Sequence, residues 1–138
     1  MPYSRFLVDT SIWLEVLPST SDNAALRERV DDLLAQDAVA TTSMVRLELL
    51  GGARTSDEWS RLGDLLSALH YIPIDEGHWN EAAHLGYQAR RTALTVPYTD
   101  LLIGAVALRA EAVLLHRDRH FDLLAGQTSL RVESHVDR

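Results

Sequence analysis

The sequence predicts an α/β fold in which a parallel sheet of about five strands carries helices on both faces. Short, strongly apolar segments alternate with longer segments whose apolar residues recur at helical spacing. Strands that are apolar throughout are typical of parallel sheets buried on both faces. No linker, repeat or low-complexity tract divides the chain, so we expect residues 1–138 to form a single domain.

Five short segments are predicted as strands because each is rich in apolar or β-branched residues and bounded by turn or capping residues. They cover residues 5–9, 38–42, 70–75, 112–116 and 130–134. The carboxyl ends of parallel strands share one edge of the sheet, and ligands bind there, near the point where the strand order reverses. Side chains that follow these strands are therefore the first candidates for a functional site.

The segments between the strands carry helix signals in order along the chain. A helix that begins at Ser11 is stopped by Pro18, and Ser21 or Asp22 caps the second helix. Ser43 caps the third, which ends at a pair of glycines. The remaining predicted helices run from Ser56 to Leu69, over 76–93, from Tyr98 or Thr99 to Ala110, and for a short distance after Asp118.

The composition is that of an acidic protein without lysine or cysteine. The net charge is −7, and all 13 basic residues are arginine. This balance disfavours nucleic-acid binding by bulk electrostatics and suits a basic protein partner. No apolar run is long enough to cross a bilayer, and Asp9 interrupts the apolar stretch near the N-terminus. We therefore expect a cytoplasmic protein with no membrane segment and no thiolate chemistry.

Four acidic residues lie inside or at the edge of strongly apolar segments, where an unpaired charge is costly. They are Asp9, Glu48, Asp100 and Asp118. Asp9 and Asp118 end predicted strands, while Asp100 opens an apolar helix and Glu48 interrupts one. Two carboxylates about 4 Å apart repel by roughly 4 kcal/mol at an effective dielectric constant of about 20. A pocket of such acids would either stay protonated or hold a hard divalent cation such as Mg²⁺ or Mn²⁺.

Each acid also has a purely structural interpretation. Asp9 and Asp118 could cap the helices that follow them, and Asp100 could interact with the positive end of its helix dipole. Glu48 could simply face solvent. The apolar residues around Glu48 make that last interpretation the weakest of the four.

Other polar and aromatic residues near these segments have competing interpretations. We expect packing or surface roles for His116 and His120, and core or dimer-interface positions for Trp59 and Trp79. The arginines on either side of Asp118 could contact the phosphates of a substrate or form salt bridges. They are Arg117 and Arg119.

Taken together, the acidic segments resemble the PIN-domain family, specifically the VapC-type toxins of bacterial type II toxin–antitoxin pairs. The matching segments, in order, are FLVDTSIW, RLELLGG, PYTDLLIGAVAL and LLHRDRHFDLL. The resemblance covers essentially the whole chain and implies a three-layer PIN-like domain. It also implies an endoribonuclease that depends on Mg²⁺ or Mn²⁺ and hydrolyses RNA phosphodiester bonds with a metal-activated water.

The resemblance further implies a homodimer restrained by a basic VapB-type antitoxin, whose arginine-bearing tail enters the acidic groove. The residues that match the family's catalytic and metal-binding pocket are Asp9, Glu48, Asp100 and Asp118, with Asp9 and Asp100 tied most directly to the metal. Thr10 and Ser11 match a hydroxyl-bearing position near the metal. Ser11, Arg117 and Arg119 are the candidate substrate-binding residues. Many relatives carry a further acid two places after the last aspartate, where this chain has His120.

Two alternative functions share parts of this pattern. Receiver domains and haloacid-dehalogenase-type phosphatases also place acids at strand ends, but both use a lysine that this chain lacks. A catalytically inactive PIN-like module that only binds protein is the second alternative. Metal-dependent RNA cleavage, abolished by EDTA, separates the enzyme from the inactive module.

Overall fold

The computed structural model describes residues 5–137. Within this range the strands form one five-stranded sheet in the order β3-β2-β1-β4-β5, and every neighbouring pair is parallel. The strands are β1 (Phe6–Val8), β2 (Val39–Thr42), β3 (His70–Ile72), β4 (Val113–His116) and β5 (Val132–Ser134). The predicted α/β architecture with about five parallel strands is confirmed.

Seven helices accompany the sheet within residues 5–137. They are α1 (Thr10–Val16), α2 (Ala24–Ala35), α3 (Ser43–Gly51), α4 (Ser56–Ser67), α5 (Glu76–Arg91), α6 (Tyr98–Ala110) and α7 (Arg119–Ala125). Each corresponds to a predicted helix, with ends that differ by a few residues.

Two of these boundaries differ for identifiable physical reasons. The cap of α2 is Asn23, not Ser21 or Asp22, because the Asn23 side chain accepts the Leu26 N–H three residues further on. Strand β3 ends at Ile72, short of the predicted residue 75. The next residue is Pro73, which has no N–H to offer a neighbouring strand.

The direction in which successive strands are added to the sheet reverses at β1, which lies between β2 and β4. From β1 the chain proceeds outward through β2 and β3, then returns to add β4 and β5 on the other side. The Asp9 N–H donates to the Leu115 carbonyl, so the end of β1 is joined directly to β4. The carboxyl ends of β1 and β4 therefore form the edge at which ligands bind in sheets of this kind.

Helix α6 is buried around most of its circumference. Its residues from Asp100 to Ala107 are all buried, which explains why the segment is apolar on every face. Helix α5 packs closely on α6, and a Cβ added at Gly86 would lie 2.9 Å from Leu101 Cδ1. The core thus fixes α6, and with it the position of Asp100 in its first turn.

Two tryptophans that we expected in the core or at an interface lie at the surface. The exposed fractions of Trp59 and Trp79 are 53% and 55%. A core role is therefore wrong for both residues, whereas Trp13 fills the core instead. Among the residues described, no helix combines the length and the apolar character needed to cross a lipid bilayer.

Candidate active site

Asp9 lies at the carboxyl end of β1 and caps α1. Its Oδ2 accepts hydrogen bonds from the Ser11 N–H at 3.0 Å and from the Ser11 hydroxyl at 2.5 Å. Burial raises the pKa of Asp9, the bonds from Ser11 oppose that rise, and the nearby charge of Glu48 adds to it. Capping and participation in an acidic site are therefore compatible for this residue.

The Ser11 hydroxyl joins two loops at the edge of the sheet. It donates its proton to Asp9 and accepts the Arg117 backbone N–H at 2.9 Å. A serine hydroxyl has one proton to donate. We predicted Ser11 as a substrate-binding residue, but in the structure this proton is already used to hold the Asp9 carboxylate in place.

Glu48 reaches the site from α3. The Thr10 hydroxyl donates to Glu48 Oε1 at 2.8 Å, which links α3 to the first residue of α1. Glu48 is exposed, so the solvent-facing interpretation is correct for the residue as a whole. Its carboxylate is nevertheless held at the rim of the acidic site.

Asp100 and Asp118 form the centre of the site. Burial raises the pKa of Asp100 to about 8, and the contact with Asp118 and the charges of Asp118, Asp9 and Glu48 add to the rise. For Asp118, burial alone would raise the pKa, but hydrogen bonds from Asp100 and His120 outweigh it and hold the pKa below its ordinary value. The two carboxyl groups therefore share one proton when no cation is present.

The structure thus brings Asp100 and Asp118 within ligand distance of each other, whereas Asp9 and Glu48 lie outside that compact group but close enough for their charges to raise the pKa of Asp100. One oxygen of this cluster is unsatisfied, because Asp100 Oδ2 is buried and has no hydrogen-bond partner when the carboxylate is ionised. A shared proton or a divalent cation would remove that cost. Ligand atoms of Asp100, Asp118 and His120 all lie within 4.8 Å of one another, and the donors are mainly oxygen. This donor set fits a hard divalent cation.

Behind Asp118, a buried histidine fixes the backbone. His116 is fully buried against Phe121, and its Nδ1 accepts the Asp118 N–H at 3.1 Å. Its Nε2 lies 3.2 Å from Asp122 Oδ1, at an angle too poor for a good hydrogen bond. Burial lowers the pKa of His116, so the ring is neutral. The expected packing role is correct for this residue.

Asp122 does not join the acidic cluster. Its Oδ2 accepts the Ser134 hydroxyl at 2.9 Å, and its Oδ1 faces His116. The sequence offered one usable signal for these contacts: a histidine inside an apolar strand needs partners for its ring nitrogens. It offered no means of identifying Ser134 as a member of the network.

The two arginines beside Asp118 have different environments. The Arg117 guanidinium pairs with Glu15 at 2.7 Å and with Asp137 at 3.1 Å, and it donates to the His135 carbonyl. The structure therefore does not place Arg117 among the acids, and the salt-bridge interpretation describes it better than the phosphate contact. Arg119 is exposed at the first residue of α7, next to Asp118.

Comparison with known proteins agrees with this architecture. Residues 6–127 match the PIN domain family. The chain is 34% identical over 132 residues to ribonuclease VapC11 of Mycobacterium tuberculosis, covering 93% of this chain and 97% of that protein. The fold is similar to that in the crystal structure of Rickettsia felis VapBC2 bound to a promoter DNA fragment, with a TM-score of 0.78, 20% identity, and coverage of 94% and 97%.

A second solved structure has the same fold. It belongs to VapBC-5 of Mycobacterium tuberculosis, described as a member of the VapBC family of toxin–antitoxin systems. The TM-score is 0.64 at 24% identity, over 98% of this chain and 100% of that one.

Proposed function

The chain belongs to the PIN-domain family, and from that membership we propose that it is a metal-dependent endoribonuclease toxin of a toxin–antitoxin pair. The observation that carries the proposal is the close approach of Asp100 and Asp118, with Asp9 and Glu48 near enough for their charges to raise the pKa of Asp100, whose Oδ2 is buried. The relative that is 34% identical to this chain is a ribonuclease by name, which supports RNA as the substrate. We propose that residues 1–138 act as one PIN domain in the cytoplasm.

We assign Asp9 and Asp100 as the principal holders of Mg²⁺ or Mn²⁺, with Asp118 and Glu48 completing the site. When bound, the cation would supply Lewis acidity that makes water a better nucleophile and offsets charge on the scissile phosphate. The chain's own task is to keep the carboxylates in position while highly charged RNA approaches.

Three supporting contacts perform that task. Ser11 orients Asp9, Thr10 orients Glu48, and His116 holds the backbone of Asp118. None of these contacts requires a side chain to act as a nucleophile. Asp100 must release its proton before its carboxylate can hold a cation, and because its pKa is raised to about 8, that release is favoured in mildly alkaline solution.

RNA binding by this acidic protein needs local positive charge. The exposed Arg119 lies directly after Asp118 and is our candidate for contact with an RNA phosphate. Arg117 could take that role only by breaking its pairs with Glu15 and Asp137. We therefore expect Arg119→Ala to raise the KM for RNA more than Arg117→Ala does.

The direct test is RNA cleavage by the purified protein with Mg²⁺ or Mn²⁺. We expect cleavage that EDTA abolishes and that falls by at least about a thousandfold in Asp9→Asn and Asp100→Asn, since each removes a charge from the site. Asp57→Asn, an exposed change on α4, is the matched control and should retain activity. Cleavage that persists in EDTA or in both site variants would refute the proposal.

The inactive protein-binding alternative makes the opposite prediction for the same experiment. It predicts no cleavage of any RNA with either cation, while binding to a protein partner persists. We favour the enzyme because all four acids lie at the site and one of them retains an unsatisfied oxygen.

We propose a basic VapB-type antitoxin as the partner, with an arginine-bearing tail that enters the acidic site. The net charge of −7 and the four clustered carboxylates supply the complementary charge. Replacing every arginine of that tail by glutamine should weaken the complex and relieve inhibition. A complex that remains equally tight and equally inhibited would contradict this mode of binding.

We also propose that the chain is a homodimer. An apolar groove of about 680 Å³ lies between α5 and the start of α6, with Trp79, Tyr87 and Tyr98 among its lining residues. These three aromatic side chains are all more than half exposed in the single chain. Sedimentation should give a dimer for the wild type and a monomer for Tyr87→Glu, with Glu81→Gln as a control. A wild-type monomer would overturn the proposal.

A further inference from the structure

His120 occupies an unusual position for a histidine on a helix surface. Its Nδ1 forms a 2.7 Å hydrogen bond with Asp118 Oδ1 and lies 3.4 Å from Asp100 Oδ2. A cation in this position would take the place of the proton on Nδ1, and the imidazole would then carry its proton on Nε2. The backbone N–H of His120 donates to the same Asp118 oxygen at 2.9 Å. The ring is therefore directed between the two carboxyl groups at the centre of the site, not toward solvent.

The spacing of these atoms suits a shared cation. Two ligands on opposite sides of a small divalent ion lie about 4.2 Å apart, since each bond is about 2.1 Å. The ligand atoms of His120, Asp100 and Asp118 all lie within 4.8 Å of one another, which is close to that separation. The buried Asp100 Oδ2 has no hydrogen-bond partner when its carboxylate is ionised, so in that form a cation would satisfy it.

On this basis, and resting on the proposed function, we propose that His120 Nδ1 directly ligates the active-site cation beside Asp100 and Asp118, shifting preference from Mg²⁺ toward transition-metal ions. Imidazole nitrogen binds first-row transition metals well, whereas Mg²⁺ prefers oxygen donors and retains water. A neutral imidazole also leaves the site less negative than a fifth carboxylate would. The imidazole at this position thus selects the metal.

The other histidine near the site is unavailable for this role. His116 Nδ1 already accepts the Asp118 backbone N–H, and its Nε2 lies 3.2 Å from Asp122 Oδ1. Nitrogen ligation detected at the bound ion would therefore point to His120.

The first test is pulsed EPR of the full-length protein loaded with Mn²⁺ and no RNA. We expect ¹⁴N modulation in the wild type, replaced by ¹⁵N modulation after histidine labelling and lost in His120→Gln. His84→Ala, an exposed change on α5, should retain the signal. Absence of nitrogen modulation in the wild type, or its persistence in His120→Gln, would overturn the proposal, as would failure to bind Mn²⁺.

The second test compares the affinities for Co²⁺ and Mg²⁺ by calorimetry. His120→Asp replaces the imidazole by a carboxylate, and we expect it to lower the ratio of Co²⁺ to Mg²⁺ affinity by about tenfold or more. An unchanged ratio would contradict the assignment. Both readouts are independent of RNA cleavage, so a protein that shows nitrogen ligation but cleaves no RNA refutes the proposed function alone. Cleavage without nitrogen ligation refutes only the role of His120.

Discussion

The Thr10 hydroxyl donates a 2.8 Å hydrogen bond to Glu48 Oε1, joining the first residue of α1 to α3. Glu48 is exposed, so burial does not restrict its side chain. A long, solvated glutamate loses substantial rotamer entropy when it is held in one position. The bond from Thr10 is therefore the contact that keeps this carboxylate beside Asp9 and Asp100.

Replacing Thr10 by valine should lower activity, because Glu48 is no longer oriented, while leaving the stability of the fold nearly unchanged. We expect kcat/KM for RNA to fall by about tenfold, because Glu48 loses the bond that orients it. Unfolding free energy should change by less than about 1.5 kcal/mol, since Glu48 remains hydrated. Thr10→Ser retains the hydroxyl and serves as the control. Full activity in Thr10→Val would show that this bond is irrelevant to catalysis.

Ser11→Ala should affect stability as well as activity. The substitution removes a donor to Asp9 and leaves the Arg117 backbone N–H without its acceptor. An unsatisfied buried group costs about 1–3 kcal/mol, so we expect a loss of that size in urea denaturation. Ser60→Ala, at an exposed site on α4, should change stability by no more than about 0.5 kcal/mol. Equal stability of the two variants would contradict the linking role of Ser11.

The raised pKa of Asp100 predicts an unusual dependence of stability on pH in EDTA. Its folded-state pKa is about 8, whereas an unfolded aspartate titrates near 3.9 on the usual scale. Between these values the folded chain binds the extra proton, so this group's contribution to stability is full below about pH 4 and declines until about pH 8. Denaturation of the wild type and of Asp100→Asn at several pH values measures the contribution of Asp100 to the unfolding free energy. The stability of the wild type relative to the variant should fall as pH rises, and a constant difference would refute the prediction.

An ion pair distant from the acidic cluster tests whether the last strand can be weakened without loss of catalysis. Arg29 on α2 contacts both carboxylate oxygens of Glu133 on β5, at 2.7 and 3.0 Å. The Arg29 hydrogen bond lowers the pKa of Glu133, so this contribution is present above the ordinary glutamate pKa and lost as pH falls through the lowered value. We expect Arg29→Gln to cost about 0.5–1 kcal/mol near neutral pH, with kcat/KM unchanged. Arg61→Gln, at an exposed pair on α4, should have no measurable effect on stability. A large loss of activity in Arg29→Gln would contradict this separation.

Local chemistry explains why much of the fold was predictable. The apolar runs of β1 and β4, and the wholly apolar segment of α6, require burial on two or more sides wherever they occur. Asp9 and Asp118 act as caps because a short carboxylate just before a helix reaches the next backbone N–H groups. The same locality limits precision, as the cap of α2 shows: several adjacent polar residues were plausible, and backbone geometry selected Asn23.

By itself, the sequence determined which segments are helices and strands, and their order along the chain. It also determined which acidic residues follow a strand or lie at the start of a helix. Each of these features depends on neighbours within a few residues. Only the tertiary structure decided that Thr10 reaches Glu48, that Ser11 reaches the backbone of Arg117, and that the Arg117 guanidinium turns to Glu15 and Asp137. These contacts join segments far apart in the chain. They arise from the strand order β3-β2-β1-β4-β5, which minimises the free energy of the whole molecule and is not encoded in any single segment.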